Sequence, residues 1–265
     1  MDSRTDTVSR CSFTAHDGIP MAADCGGEGS PALLFIHGWT CRRAYWQPQL
    51  AHFKSGHRVA APDLPGHGET SGAGRSTWSI DRLARDIAAC SLELTPDKAV
   101  LIGHSMGGAV ALEAARQMPA ATAAVVLVDT FVIDYGGLSS EAIEEAVAPF
   151  AADFTGAVAG LVEQTATDAT PGPLKERLVR EMSAADPSLA LPLWRDLLAW
   201  DPQPAFDSLQ VPIYAINGAL IPESARARCA PFVSESVIDG AGHFLQMEDP
   251  AGFNRVLEKI LDGLR

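Results

Sequence analysis

Apolar runs of strand length alternate with helix-period stretches along most of the chain. Residues 11–15 and 19–23 flank His16-Asp17-Gly18, a turn signal between two short segments, and predict a hairpin. Residues 32–36 are apolar without interruption and predict a buried strand. A helix carrying Trp46 and Leu50 is predicted over 44–53, and a strand over 57–61. Over 79–92 the positions Ile80, Leu83, Ala84, Ile87 and Ala88 share one face of a helix. Residues 99–102 are a further buried strand, and 109–116 are good helix formers. A strand over 124–128 ends at Asp129-Thr130.

From 131 to 207 the alternation stops, and the helical period continues without a convincing strand. Apolar positions recur at Ile143, Val147 and Phe150, then at Phe154, Val158, Leu161 and Val162. They recur again at Leu174, Leu178 and Met182, and at Trp194, Leu197 and Leu198. Gly136-Gly137, Pro171-Gly172-Pro173 and Pro187 break these segments apart. The strand pattern returns over 211–216, followed by a helix near 222–229, a short strand over 234–237 and a closing helix over 250–264. The predicted organisation is an α/β core formed by 1–130 and 208–265, with a helical insertion over 131–207. A chain of 265 residues suits one such unit.

Composition narrows the function. Hydrophobic residues make up 47% of the chain, enough for a sizeable core, and the net charge of −13 disfavours nucleic acid and anionic membrane as partners. Cys11, Cys25, Cys41, Cys90 and Cys229 are odd in number and in no metal-type spacing, so reduced thiols and a cytosolic (cytoplasmic) protein are expected. Residues 1–10 are polar and carry no signal-peptide core, and no apolar run reaches the length of a membrane span.

The chemistry centres on Gly103-His104-Ser105-Met106-Gly107, set between a predicted strand and a predicted helix. That context makes Gly-x-Ser-x-Gly a nucleophile elbow, with Ser105 on a strained turn above a helix N-terminus. A serine nucleophile needs a base. His243, on a glycine-flanked loop after the last strand, fits the chain order of serine, acid, histidine. The oxyanion formed on attack needs two donors, expected from the amides of Met106 and Trp39. His104, His37 and His67 are expected to be structural hydrogen-bonding residues. A zinc site built from these three lacks any HExxH-type pattern, so no metal is expected. Asp129 ends a strand just after the elbow helix and should emerge at the same sheet edge as Ser105.

The sequence resembles the α/β-hydrolase superfamily along nearly its whole length. The resemblance is carried by His37-Gly38-Trp39, Asp63-Leu64-Pro65-Gly66-His67-Gly68, the elbow, and Gly240-Ala241-Gly242-His243-Phe244. It implies a mostly parallel eight-stranded sheet with helices on both faces and a helical cap over the catalytic edge. Haloalkane dehalogenases and epoxide hydrolases of this fold use aspartate where this chain has Ser105. One departure concerns the acid, which the superfamily usually places as Gly-x-x-Asp after the strand matching 211–216. Here the run is Asn217-Gly218-Ala219-Leu220-Ile221-Pro222, and the first carboxylate is Glu223. Some members place the acid where Asp129 stands, so Asp129 is the first candidate and Glu223 the second.

The expected activity is hydrolysis of small-molecule carboxylic esters or thioesters through an acyl-enzyme, with no cofactor, a small-molecule substrate, and neither nucleic acid nor membrane as partner. Lactone opening, carbon–carbon bond hydrolysis and perhydrolysis would use the same residues, and a non-catalytic ligand receptor is the rival from another class. Phe131, Phe150, Phe154, Trp194 and Trp200 are expected as pocket walls, or else as packing within the insertion. Oligomeric state is not legible in the sequence.

Overall fold

The computed structural model describes residues 7–264, so the first six positions of the polar N-terminal stretch lie outside the described residues. Eight strands form one sheet: β1 (Ser9–Thr14), β2 (Pro20–Gly26), β3 (Ala32–Ile36), β4 (Val59–Pro62), β5 (Ala99–His104), β6 (Thr122–Val128), β7 (Ile213–Asn217) and β8 (Ser234–Val237). Their order is β1-β2-β4-β3-β5-β6-β7-β8. β1 and β2 form the antiparallel hairpin and β2 meets β4 antiparallel; β4 to β8 run parallel.

The parallel strands are buried on both faces, which is why they read as unbroken apolar runs. Alternate residues feed two separate cores. Leu34, Ile36, Leu101 and Leu127 point into one, and Leu33, Phe35, Ile102 and Val126 into the other. The first core is closed by α2 (Ile80–Leu94) and α3 (Met106–Gln117). The second is closed by α1 (Gln47–Phe53) and α11 (Pro250–Asp262), where Trp46 packs between Phe35 and Phe253 at ring distances of 5.1 and 5.9 Å.

Between β6 and β7 the chain is helical: α4 (Ser140–Ala152), α5 (Phe154–Gln164), α6 (Gly172–Met182), α7 (Pro187–Ala199) and α8 (Gln203–Ser208). The starts follow local chemistry. Ser139 and Asp153 cap α4 and α5 through bonds of 3.2 and 3.0 Å, and Pro187 opens α7. α9 (Glu223–Cys229) follows β7. α10 (Leu245–Glu248), a single turn after the His243 loop, is too short to leave a periodic signal. Among the described residues no single helix is long and apolar enough to cross a membrane; α4 and α5 are jointly apolar but bent by 119°.

One expectation is overturned. Cys11 and Cys25 form a disulfide, while Cys41, Cys90 and Cys229 are free and buried. The hairpin register sets Cys25 opposite Ser9 and Cys11 opposite Ala23, so the two cysteines are diagonal neighbours with Cα atoms 5.9 Å apart, within bridging range. The assignment of a cytosolic location from five reduced thiols loses that premise.

Candidate active site

The elbow is built by close backbone contact. Ser105 holds φ 53° and ψ −122°, a conformation that side chains resist. It persists because its surroundings leave no alternative. A Cβ on Gly103 would overlap the Gly107 carbonyl, and one on Gly107 would overlap the Ile36 carbonyl at the end of β3. The Ser105 N–H donates to Val128 O at 2.9 Å, tying the turn to the end of β6. Next along the sheet edge, the Asp129 N–H donates to Ile216 O of β7 at 3.1 Å. Main-chain bonds thus carry the site from strand to strand.

Asp129 is fully buried and adopts the left-handed conformation, φ 47° and ψ 38°. Its Oδ2 accepts from His243 Nδ1 at 2.7 Å, and its Oδ1 accepts the Gly218 N–H at 2.8 Å. Both oxygens are therefore matched, without an arginine or lysine. Glu223 instead lies exposed in the first turn of α9, where the helix dipole accounts for it. The structure brings Asp129 to His243 and leaves Glu223 apart. Gly218 opens the run in which the superfamily usually carries its acid; here its amide holds the Asp129 carboxylate at the end of β6.

The loop bearing His243 is clamped on the amides of residues 242–244. Gly242 N–H and Phe244 N–H both donate to the Glu248 carboxylate, at 2.7 and 3.2 Å. His243 N–H donates to Thr165 O at the end of α5, at 2.9 Å. Thr167 Oγ1 adds a bond to Gly240 O at 2.7 Å. The His243 carbonyl accepts from His104 Nε2 at 2.9 Å. Burial, with His243 beside it, holds the His104 imidazole far below its ordinary pKa, so it stays a neutral donor. Thr165, Thr167 and Glu248 carry no sequence signal for this role, because their partners lie on other elements or at no motif spacing.

Ser105 and His243 line one cavity of about 590 Å³ between the strand ends and the helical insertion. Trp39 reaches it from the loop after β3. Gly38 lies against Ser105: a Cβ there would stand 3.2 Å from Ser105 Cβ. The Trp39 ring stacks on Trp194 at 4.8 Å and meets Phe150 edge-on at 5.3 Å, and its Nε1–H donates to Ala190 O at 2.9 Å. Met106 occupies the first position of α3, where its N–H has no intrahelical acceptor.

Of the five aromatic residues expected as walls, Trp194 and Phe150 line the cavity; Phe131, Phe154 and Trp200 do not, and Phe154 packs edge-on against Trp39 at 5.9 Å. Phe131 and Trp200 stack on each other at 6.3 Å, and Trp200 Nε1–H donates to Glu113 of α3 at 2.9 Å, so they pack the insertion onto the core. Of the two roles expected for them, wall or packing, Phe131 and Trp200 take the packing one, and their assignment as substrate-binding residues is corrected.

His37, His67 and His104 each meet protein partners. His37 Nε2 accepts the Leu64 N–H at 3.0 Å while its Nδ1 meets Gly38 O, and His67 Nδ1 meets Pro65 O. Burial pushes both pKa values down, His67 to about 3. Elsewhere His16, Asp17 and Asp86 converge, but the Arg75 guanidinium already spans the two carboxylates at 2.8 and 2.7 Å.

A model of the alpha/beta hydrolase family matches residues 33–256. The chain belongs to the alpha/beta hydrolase family. The hydrolase is 27% identical over 250 residues to a pimeloyl-[acyl-carrier protein] methyl ester esterase of Sodalis glossinidius (strain morsitans), covering 87% of this chain and 93% of that protein. Among solved structures, it resembles Est816, described as an N-acyl homoserine lactone degrading enzyme, with a TM-score of 0.78 and 25% identity over 93% of this chain and 99% of the other. The esterase EaEST of Exiguobacterium antarcticum superposes with a TM-score of 0.85 over 96% of this chain and 100% of the other; at 17% identity this likeness speaks for the fold alone.

Proposed function

We propose that this hydrolase cleaves small-molecule carboxylic esters or thioesters by way of an acyl-enzyme on Ser105. The observation that carries the reading is the 2.7 Å bond from His243 Nδ1 to buried Asp129, beside a cavity that Ser105 also lines. A carboxylate only accepts, so Nδ1 holds the proton and Nε2 is left as the base. In the first step Ser105 Oγ bonds to the ester carbon as its proton passes to Nε2, and the carbonyl electrons move onto oxygen. The amides of Met106 and Trp39 are assigned to that oxyanion. When the oxyanion collapses, the carbon–oxygen or carbon–sulfur bond to the leaving group breaks, and His243 returns the proton to the departing group. Water then attacks the acyl-serine with His243 again as base, and the carboxylic acid leaves. Asp129 stays ionised throughout and stabilises the imidazolium.

The similarity to a methyl ester esterase supports an acyl–oxygen substrate. A lactone is an ester closed on itself and would be opened by the same steps, which the likeness to Est816 favours as a second substrate type. Residues 131–207 are assigned as the cap, with 1–130 and 208–265 as the catalytic core. Two clamps onto the core support the cap: Thr165 O on the His243 amide and Ala190 O on the Trp39 indole.

The test is turnover of p-nitrophenyl esters of increasing acyl length by the wild type and by Ser105→Ala. The expected result is hydrolysis that falls by at least about a thousandfold in a folded variant. A variant retaining more than about a tenth of wild-type turnover would exclude the covalent route.

A further inference from the structure

We infer that the cavity selects esters whose acyl chain carries no charge, and that a carboxylate on that chain excludes an ester of the same size and shape. The inference rests on the ester-hydrolase reading and adds a substrate class to it. None of the residues lining the cavity is Lys, Arg, Asp or Glu. The ionisable groups that do line it are Cys41, His104, Tyr135 and His243. Burial pushes the Cys41 thiol and the Tyr135 phenol up, and holds His104 down, so all three are neutral near pH 7. The imidazolium that forms on His243 during reaction already faces Asp129 at 2.7 Å, so it offers no unmatched positive charge.

Away from the catalytic groups the wall is made by Val132, Ile133, Phe150, Leu161, Val162 and Trp194. Gln164, at the end of α5, is a neutral polar residue at the cavity's exposed edge. The basic side chains Lys175 and Arg177 of the neighbouring α6 are already paired, with Glu163 at 3.1 Å and Glu181 at 3.0 Å. A carboxylate carried against the apolar wall gives up water there and finds no cationic residue in the lining. The chain's net charge of −13 adds a field that repels anions at a distance. An uncharged amide of the same shape escapes both effects and loses only part of its hydration.

The test compares three p-nitrophenyl esters of matched chain length: the adipate hemi-ester, its terminal amide, and the branched hydrocarbon isostere. The decisive ratio is kcat/KM for the amide over that for the hemi-ester, since size and shape are matched and the charge is removed. It is expected to exceed about tenfold, and an unpartnered buried carboxylate implies roughly a hundredfold. A smaller ratio overturns the inference.

Gln164→Arg is the second arm. It sets a cation at the cavity's edge and at a helix C-terminus, where positive charge is tolerated. It is expected to raise kcat/KM for the hemi-ester relative to that for the amide by about tenfold. If the folded variant leaves the ratio unmoved, cavity charge is not the cause and the inference fails. Failure of the underlying reading looks different: none of the three esters would be turned over, and a fluorophosphonate would not label Ser105.

Discussion

Replacing Asp129 by asparagine isolates the acid. Asparagine is among the few residues that accept the left-handed conformation held at this position, so the backbone can stay as it is. The amide is then oriented by its other neighbour. Gly218 N–H, 2.8 Å from Oδ1, is a donor and needs the amide oxygen; the NH₂ group is therefore turned toward His243 Nδ1. Nδ1 must accept, the ring proton moves to Nε2, and the base can no longer take the proton of Ser105. In Ser-His-Asp triads this substitution costs about 10⁴ in kcat, equivalent to roughly 5.4 kcal/mol of activation free energy. The expected result for Asp129→Asn is a loss of three to four orders of magnitude, on the order seen in such triads. The assay is steady-state hydrolysis of a p-nitrophenyl ester, with circular dichroism and thermal melting to show that the variant is folded. Glu223→Gln, assayed alongside, is expected to lose less than about tenfold, because that carboxylate is exposed on α9. The reverse pattern in folded proteins would move the acid to Glu223 and refute the reasoning.

Three further outcomes follow from the same geometry. Dialysis against EDTA is expected to leave hydrolysis unchanged, since serine and histidine supply nucleophile and base; a loss restored by zinc would contradict this. Trp194→Ala opens the cavity wall beside Trp39 and is expected to shift the preferred acyl length upward while costing about 3–5 kcal/mol of stability, whereas a lowered melting temperature with an unchanged substrate profile would make Trp194 a packing residue only. Stability is expected to fall with acid: His67 and His104 have folded pKa values depressed by burial, so below about pH 6.5 the unfolded chain binds protons that the folded one refuses. Each contributes a slope of about 1.4 kcal/mol per pH unit, and His37 adds to it until its own lowered pKa is reached. Asp63, pushed up by burial, works in the opposite sense at lower pH. Urea denaturation between pH 7 and about pH 5.5 reads the slope, and a flat profile would refute the assignment of neutral buried histidines.

Much of this fold is legible because parallel strands buried on both faces write themselves as apolar runs, and because the elbow glycines sit where a Cβ would strike backbone. Asp129 was readable for a related reason: it ends the strand next to β5, so sheet order alone puts it near Ser105. What escaped depends on register and on contacts between distant elements. Cys11 and Cys25 lie 14 residues apart, and only the pairing of β1 with β2 makes them neighbours. Helical period turns Trp194 inward, and apolar character alone marks Phe131 and Trp200, but neither signal says toward what. Trp194 meets Trp39 and the cavity, whereas Trp200 finds a carboxylate on α3. The clamp on the His243 loop joins a carbonyl of α5 and a glutamate of α10, which no local pattern announces.

The account rests on Ser105 as the covalent centre, and intact-mass spectrometry after exposure to a fluorophosphonate tests that directly. The predicted result is one adduct per chain, mapped by proteolysis to the peptide containing Ser105 and absent in Ser105→Ala. An unmodified wild type, or an adduct that persists in Ser105→Ala, would contradict it.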